Sequence, residues 1–439
     1  MIRLIIDRLL ILNNPIFLQR LIQGFTGLIT LFFVTHYLSL DMQGWYYTFA
    51  SIAGAWILFD LGFSVILLQF SAHIFNTLRW LLYGAVDGES YGRFNSLLKQ
   101  SFRFYIGAAL SFFLVVAPVG IFFFFQRDNE WHDWISPWIS LVTFTGLNML
   151  SLPFIAIVEG SGRIKEVYYL RIIQNLLSSV GLWSALMFGY QLWALSLFPM
   201  IAFMVAVLWL LLLKPILLKK TVVNKIDALS WRKEIWPMQW RMGLSYLAGY
   251  LLIQIYTPIL FHYDSAKAAG QFGLSLTIVS MLGLLAQSWI VRSVPSLGKA
   301  VASKNWVKFD RMFKYDLKIS VLFFLLGLIM VLALGLYAHL MTSYGQRILP
   351  IISFMGLLLV GFIQHINFAL TTHLRAYKEE PTAIIFLIST LITIPIAMYS
   401  AAIFSTGGVV FSILLVQILF TLPMTIYYWI KFNRQWRIR

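Results

Sequence analysis

The feature that most constrains this chain is how far it runs without a charge. Residues 172–213 pass 42 positions, and residues 381–430 pass 50, with no Asp, Glu, Lys or Arg. Shorter charge-free intervals cover 21–40, 42–59, 104–126, 134–158, 242–263, 268–291, 319–346 and 348–374. A bilayer is crossed by about 20 mostly apolar residues. Each shorter interval therefore holds one span, the second of them running on past Asp60. Each long interval holds two, with turns near Gly189–Gln191 and at Ser405–Gly408. The expectation is an all-α polytopic membrane protein with twelve transmembrane helices. Composition agrees: 60% of residues are hydrophobic and 11% charged, against about 45–50% and about 25% in soluble domains.

The basic residues orient these spans. Of the 33 Lys and Arg, 29 fall on one side when loops and termini are assigned alternately. Three (Arg127, Lys267 and Arg347) fall on the other, and Arg20 precedes the first span. Cytoplasmic loops carry such an excess, so both termini are expected in the cytoplasm. The net charge of +16 then follows from topology, and nucleic acid is not expected as a partner. Residues 3–12 read as a short interfacial helix. Trp45, Trp131, Trp134, Trp138 and Trp193 lie near the outer ends, where an aromatic belt belongs. Outer loops are short, so a separate extracytoplasmic domain is not expected.

The basic loop after the sixth span divides the chain into an N-terminal lobe (1–213), a cytoplasmic linker (214–238) and a C-terminal lobe (239–439). Six spans per lobe is an even number, so the lobes would share orientation and be related by an axis along the membrane normal. Two alignments support a repeat. "QGWYYTFASI" (Gln43–Ile52) lies on "AGQFGLSLTI" (Ala269–Ile278), and "GRIKEVYYLRII" (Gly162–Ile173) on "RAYKEEPTAIIF" (Arg375–Phe386).

Signals for catalysis are missing. There is no cysteine, no phosphate-cradling GxxxxGK[ST] loop and no HExxH. The seven histidines are scattered without metal-ligand spacing. No enzyme activity, cofactor or metal is expected. Polar side chains inside a membrane mark transport pathways, and several recur at helical spacing. The first span carries Arg20, Gln23, Gly24 and Gly27. The fifth carries Arg171, Gln174, Asn175 and Ser178, within about 100° of arc. The seventh offers Arg241 and Ser245. The eighth carries Thr277, Ser280, Gly283 and Gln287, with Arg292 at its end. The tenth carries Gln364, Asn367 and Thr371, with His365 beside them. Each has an alternative: small and polar residues also join membrane helices, and arginines at span ends also snorkel to the interface. Together they suggest a polar, basic cavity suited to an anionic headgroup. Asp60 in "LFDLGF" (Leu58–Phe63) is the one carboxylate expected within a span. It reads as a structural salt bridge or gate latch, with Arg20 its nearest partner, or as an ion-coupling group.

Three stretches resemble the polysaccharide-transport branch of the multidrug/oligosaccharidyl-lipid/polysaccharide (MOP) exporter superfamily. "LSLDMQGWYYTFASIAGAWILFDLGFS" (Leu38–Ser64) has the Gly-aromatic start and closing D-L-G of that branch's second span. "IVEGSGRIKEVYYLRIIQNLLSS" (Ile157–Ser179) has its E-G-x-G-R step, and "RAYKEEP" (Arg375–Pro381) is similar to the matching turn in the second half. The resemblance implies a MATE-like fold, two six-helix lobes about a central cavity in the bacterial cytoplasmic membrane. It implies a flippase for polyprenyl-diphosphate-linked oligosaccharide, working beside membrane lipids and other polysaccharide-assembly membrane proteins. Arg20, Arg171, Arg241 and Arg292 would meet the diphosphate. Gln23, Gln174, Asn175, Gln287 and Gln364 would meet sugars; Asp60 and His365, from their place within the spans and not from the resemblance, are the candidates for gating or ion coupling. A cation-coupled multidrug exporter on the same fold, or a membrane glycan polymerase, are the alternatives.

Overall fold

The computed structural model describes residues 15–80, 86–127, 132–213, 229–377 and 382–438. The expected interfacial helix over 3–12, residues 214–228 of the linker, Trp131 and the repeat match at Lys378–Glu379 lie outside the described residues. In a bilayer every backbone polar group must be satisfied within the chain, and here the chain answers with helices. The first stretch is α1 (Pro15–Tyr37), α2 (Leu40–Ala53), α3 (Trp56–Asp60) and α4 (Phe63–Ile74). An antiparallel hairpin follows, β1 (Leu78–Trp80) with β2 (Val86–Gly88). Next come α5 (Tyr91–Phe125), α6 (Ile135–Met149), α7 (Leu152–Gly160), α8 (Ile164–Met187) and α9 (Trp193–Leu213). The remainder is α10 (Trp236–Gln254), α11 (Tyr256–Tyr263), α12 (Ala266–Val291), α13 (Val294–Ala302), α14 (Trp306–Met341), α15 (Ile351–Arg375), α16 (Thr382–Val416) and α17 (Leu422–Ile438).

Local chemistry explains the ends. Pro15 opens α1, where its missing N–H costs nothing. The Ser265 hydroxyl accepts from the Ala268 N–H at 3.1 Å to start α12, and Asn305 does the same for α14 through Lys308 at 3.0 Å. Both are N-caps that satisfy an orphan donor.

Among the described residues, eight helical stretches are long and apolar enough to cross a membrane, or up to ten if each of two bent pairs is one span. Twelve were expected, and two features separate the counts. Helix α8 is 24 residues long, but its polar stripe lowers its hydropathy. The 55-residue stretch Thr382–Trp436 counts once, although its backbone leaves the helix at Ser405 (φ 54°, ψ −144°). The bent pairs are Leu40–Asp60 with Phe63–Ile74, at 40°, and Trp231–Gln254 with Tyr256–Tyr263, at 43°.

The chain divides into two compact units, residues 1–38 with 52–247, and residues 39–51 with 248–439. The division falls elsewhere than at the linker. Most of α2 belongs to the second unit, and the first half of α10 to the first. Helix α2 is held by small residues. A Cβ on Gly44 would sit 1.8 Å from the Ala266 carbonyl oxygen, and one on Gly270 would sit 2.7 Å from the Gly44 nitrogen. The two segments aligned as repeats thus meet face to face, at Gly44 and Gly270. Gln43, 1% exposed, closes the crossing: its Nε2 donates to Gly270 O at 2.9 Å and Arg347 O at 3.0 Å, and its Oε1 accepts from Arg347 Nη1 at 3.2 Å.

The aromatic belt needs correction. Trp45, Trp134 and Trp138 are buried, and of the described members only Trp193 is exposed. Trp138 fills the space left by Gly120, where a Cβ would lie 2.2 Å from its ring, and donates Nε1–H to Ala117 O at 3.1 Å. These tryptophans are core of their units, not a lipid-facing girdle. In the second unit Phe309, Phe313, Leu370, Leu374 and Tyr377 pack with Leu297 of α13. There His373 lies 4.1 Å from the Phe313 ring and accepts from Trp429 Nε1 at 3.1 Å.

Candidate functional site

In the first unit the site is built around the turn between α7 and α8. Helix α4 grips the end of α7, since Ser71 Oγ donates to Ile157 O at 2.7 Å and Gly160 lies so close that a Cβ would be 2.3 Å from Leu68 O. Gly162 (φ 89°) then reverses the chain, a conformation that glycine adopts without steric cost. The hairpin clasps the turn, with Trp80 Nε1 donating to Ser161 Oγ at 2.9 Å and Arg163 over the Trp80 ring at 4.7 Å. This is the physical content of the E-G-x-G-R step. It leaves Glu159 facing α8.

Arg171 Nη2 meets Glu159 Oε2 at 2.7 Å, with side-chain exposures of 35% and 12%. The guanidinium lies over Tyr168 at 4.9 Å. Of the sequence-derived cations, Arg171 forms this cluster, and Arg20 stands on the helix packed against it. Helix α1 is tied to it through Thr26, whose hydroxyl donates to Asn175 Oδ1 at 2.8 Å. Gln23 is exposed beside it, accepting from Gln19 at 3.2 Å. The rest of the α8 stripe faces elsewhere. Gln174 donates to Ala202 O at 2.8 Å and Ser178 to Phe198 O at 2.9 Å, so both join α8 to α9.

Asp60 is 2% exposed, and its geometry corrects the expected pairing with Arg20. Tyr105 donates to Oδ1 at 2.5 Å and Ser64 Oγ to Oδ2 at 2.9 Å. The backbone amides of Gly62 and Ser64 lie near the carboxylate as well. Leu61 (φ 50°) and Gly62 (φ 67°) break the helix here, and Asp60 is joined across the break to Ser64 in the first turn of α4. Two hydroxyl donors and the nearby amide dipoles stabilise a carboxylate without a cation. A Cβ on Gly62 would lie 2.9 Å from Met242 Cβ, so α10 packs directly on the break. Arg241, one residue earlier, is exposed and lies 5.7 Å from the Trp240 ring.

In the second unit Arg292 approaches Asp316 at 3.5 Å and covers Trp289 at 4.9 Å. Asp316 is 4% exposed and also accepts from Ser293 Oγ at 2.5 Å. Ser320, one turn along α14, donates to Leu317 O at 3.0 Å. Its oxygen is left to accept from His365 Nε2, at 3.2 Å. His365 stacks on Phe324 at 5.2 Å, and its Nδ1 has no hydrogen-bond partner among the described residues. Gln364 and Gln287 are half-buried, the latter 3.7 Å from where a Gly283 Cβ would stand. Asn367 Oδ1 and Thr371 Oγ1 are buried without partners among the described residues.

Sequence reasoning missed Glu159 and Asp316. Both lie among the charges that flank the charge-free intervals, where a carboxylate reads as solvated. The expected basic lining is therefore partly neutralised: Arg171 and Arg292 each hold a carboxylate, whereas the described residues place none on Arg20 or Arg241.

No protein-family model and no curated protein matches this chain. Solved structures do. The lipid II flippase MurJ, in an inward closed conformation, matches with a TM-score of 0.63 at 12% identity, over 94% of this chain and 86% of that one. A multidrug resistance MATE family transporter of the MOP superfamily, in an outward-facing conformation, matches with 0.60 at 13%, over 95% and 94%. A MOP superfamily transporter from Pyrococcus furiosus, described as having a binding pocket of reverse polarity that suggests a different function, matches with 0.59 at 13%, over 96% and 94%. At this identity the likeness is one of fold, and it extends over nearly the whole chain.

Proposed function

We propose that this chain, an integral membrane protein with the fold of the MOP-superfamily transporters, is a flippase. Its substrate is a polyprenyl-diphosphate-linked oligosaccharide, moved by alternating access across the bacterial cytoplasmic membrane for surface polysaccharide synthesis. One observation carries the reading: Arg171, still 35% exposed, lies over Tyr168 at 4.9 Å on the helix that Thr26 ties to α1, the helix of Arg20. A guanidinium fork recognises a phosphate through paired N–H groups, and an aromatic face beneath it restricts its orientation. That arrangement suits a diphosphate better than a cationic drug.

The remaining assignments follow from the partners each residue has. Asn175 and Gln23 line the α1 side of the cluster and are assigned to the first sugar. Gln174 serves the α8–α9 contact and is not assigned to substrate. Arg241, Gln287, Arg292 and Gln364 are kept as later contacts along the path. Asp60 is assigned to gating, because its carboxylate holds the break in the second span. His365 is assigned likewise, through its contact with α14.

Multidrug extrusion has one observation in its favour. Asp60, Glu159 and Asp316 make three substantially buried carboxylates where one was expected. Each already accepts from an arginine, a hydroxyl or a backbone amide, which leaves little for a drug cation. The test is replacement of arginines by Ala, with surface glycan and lipid-linked oligosaccharide measured on each membrane face. Arg20→Ala and Arg171→Ala should each lower surface glycan and accumulate material on the inner face. Full surface glycan with Arg20, Arg171, Arg241 and Arg292 all replaced overturns the reading, and drug sensitivity on deletion would favour extrusion.

A further inference from the structure

Resting on that anion-binding reading, we infer that Glu159 is a positioning and release residue: an internal anion that holds Arg171 while the site is empty and competes with the bound diphosphate for it.

The two partners differ in freedom. Glu159 stands on the last turn of α7, which Ser71 and the Gly160–Leu68 contact fix against α4, and its side chain is only 12% exposed. Arg171 reaches it from α8 on a long flexible side chain and is 35% exposed. When the pair separates, the arginine is the member that moves. Glu159 occupies one N–H of the guanidinium through Nη2, and the guanidinium face lies over the Tyr168 ring at 4.9 Å. A guanidinium has five N–H donors, so a second oxyanion can engage before the first is released.

Carboxylate and phosphate compete for a guanidinium by the same planar, charge-assisted geometry. Both are negative, so a phosphate on the open edge of Arg171 repels Glu159 and loosens the 2.7 Å contact. The converse holds at release: Glu159 is already in place to recapture Arg171 when the headgroup leaves. Arg20 has no carboxylate among the described residues, so it supplies attraction without this exchange. The other arginine of the turn, Arg163, is held by Glu166 three residues along its own helix at 3.3 Å and by Trp80, and does not share Glu159.

The sign of the effect separates this role from a structural one. A carboxylate that only ties α7 to α8 gives, on neutralisation, a less stable protein that binds anions no better. A competing carboxylate gives tighter binding and slower turnover. The probe is geranyl diphosphate, with geraniol as the uncharged control, binding to the purified full-length protein in nanodiscs. Glu159→Gln is expected to tighten geranyl diphosphate binding by about tenfold, the scale of one charge-assisted hydrogen bond, and to leave geraniol unchanged. The same variant should lower the rate of surface glycan appearance in cells. Glu159→Asp, whose shorter side chain reaches Arg171 less well, should bind with intermediate affinity, and serves alone if the Gln variant does not fold. Wild type that binds while Arg171→Ala does not, with Glu159→Gln or Glu159→Asp no tighter than wild type, overturns the role of Glu159 and leaves the substrate reading standing. Wild type that fails to bind geranyl diphosphate, with Arg171→Ala indistinguishable from it, overturns both.

Discussion

The buried carboxylate in "LFDLGF" shows how an isolated charge can be stable in an apolar segment. An unpaired ion away from water costs several kcal/mol, yet Asp60 has no cation beside it among the described residues. Two hydroxyl donors, Tyr105 and Ser64, do the work, with the backbone amides of Gly62 and Ser64 close by. The amides belong to the first turn of α4, where a helix has orphan N–H groups and a positive dipole end. Tyr105 is the one donor that comes from a distant part of the chain, on α5. Tyr105→Phe should therefore destabilise the protein by about 1.5–3 kcal/mol, the range for a hydrogen bond to a charged group, read as a lower unfolding temperature in detergent. In an Asp60→Asn background the same substitution should cost much less, since no charge is left to stabilise. Equal costs in the two backgrounds would show that Tyr105 acts by packing alone.

At the scale of elements, the second unit holds α2 by backbone proximity, and its glycines are not equivalent to those of α1. Gly44 faces the Ala266 carbonyl at a distance no Cβ can occupy, whereas Gly24 has nothing within 4 Å of the equivalent position. Gly44→Ala should destabilise at or above the ~1–3 kcal/mol typical of overpacking, with loss of monodisperse protein on size-exclusion chromatography. Gly24→Ala should be neutral or stabilising by up to ~1 kcal/mol, the helix preference of Ala over Gly. The contrast shows what a sequence stripe does and does not contain. Periodicity gives the angle of a residue about its helix axis, and it put Arg20 and Arg171 on surfaces that meet. It cannot name the neighbour on that side, so Asn175 turned to α1 while Gln174 and Ser178, from the same stripe, turned to α9. Glu159 was hidden for a related reason. Its burial depends on Gly160 lying against Leu68 and on Gly162 reversing the chain, and both are tertiary facts. Asp60 was visible as an anomaly, but its partners were not: Tyr105 comes from a distant helix and Ser64 from beyond a helix break, and hydrophobicity does not report that break.

For the whole molecule, the charge-free intervals were legible because a bilayer imposes one length scale on every crossing segment. The alternation of basic loops makes a claim of its own about sidedness, which a single-cysteine scan can test. The chain has no cysteine, so every introduced thiol is the only one present and no background must be removed. Tyr190 and Tyr344 sit in exposed turns expected on the outer side. Ser230 and Ser303 are exposed in loops that carry the basic residues. If the spans number twelve with both termini in the cytoplasm, a membrane-impermeant maleimide applied to intact spheroplasts should label Tyr190→Cys and Tyr344→Cys. It should reach Ser230→Cys and Ser303→Cys only after the membrane is opened. One span more or fewer between residues 190 and 230 puts those two on the same side, and one more or fewer between 303 and 344 does the same for the second pair. The α8–α9 reversal at Gly189–Gln191 matters most, because α8 is the segment whose polar stripe weakens its hydropathy. Labelling at position 190 from outside would place α8 across the membrane together with its Arg171 cluster. Protection there, with labelling at 344 intact, would move that cluster out of the translocation path and the diphosphate reading with it.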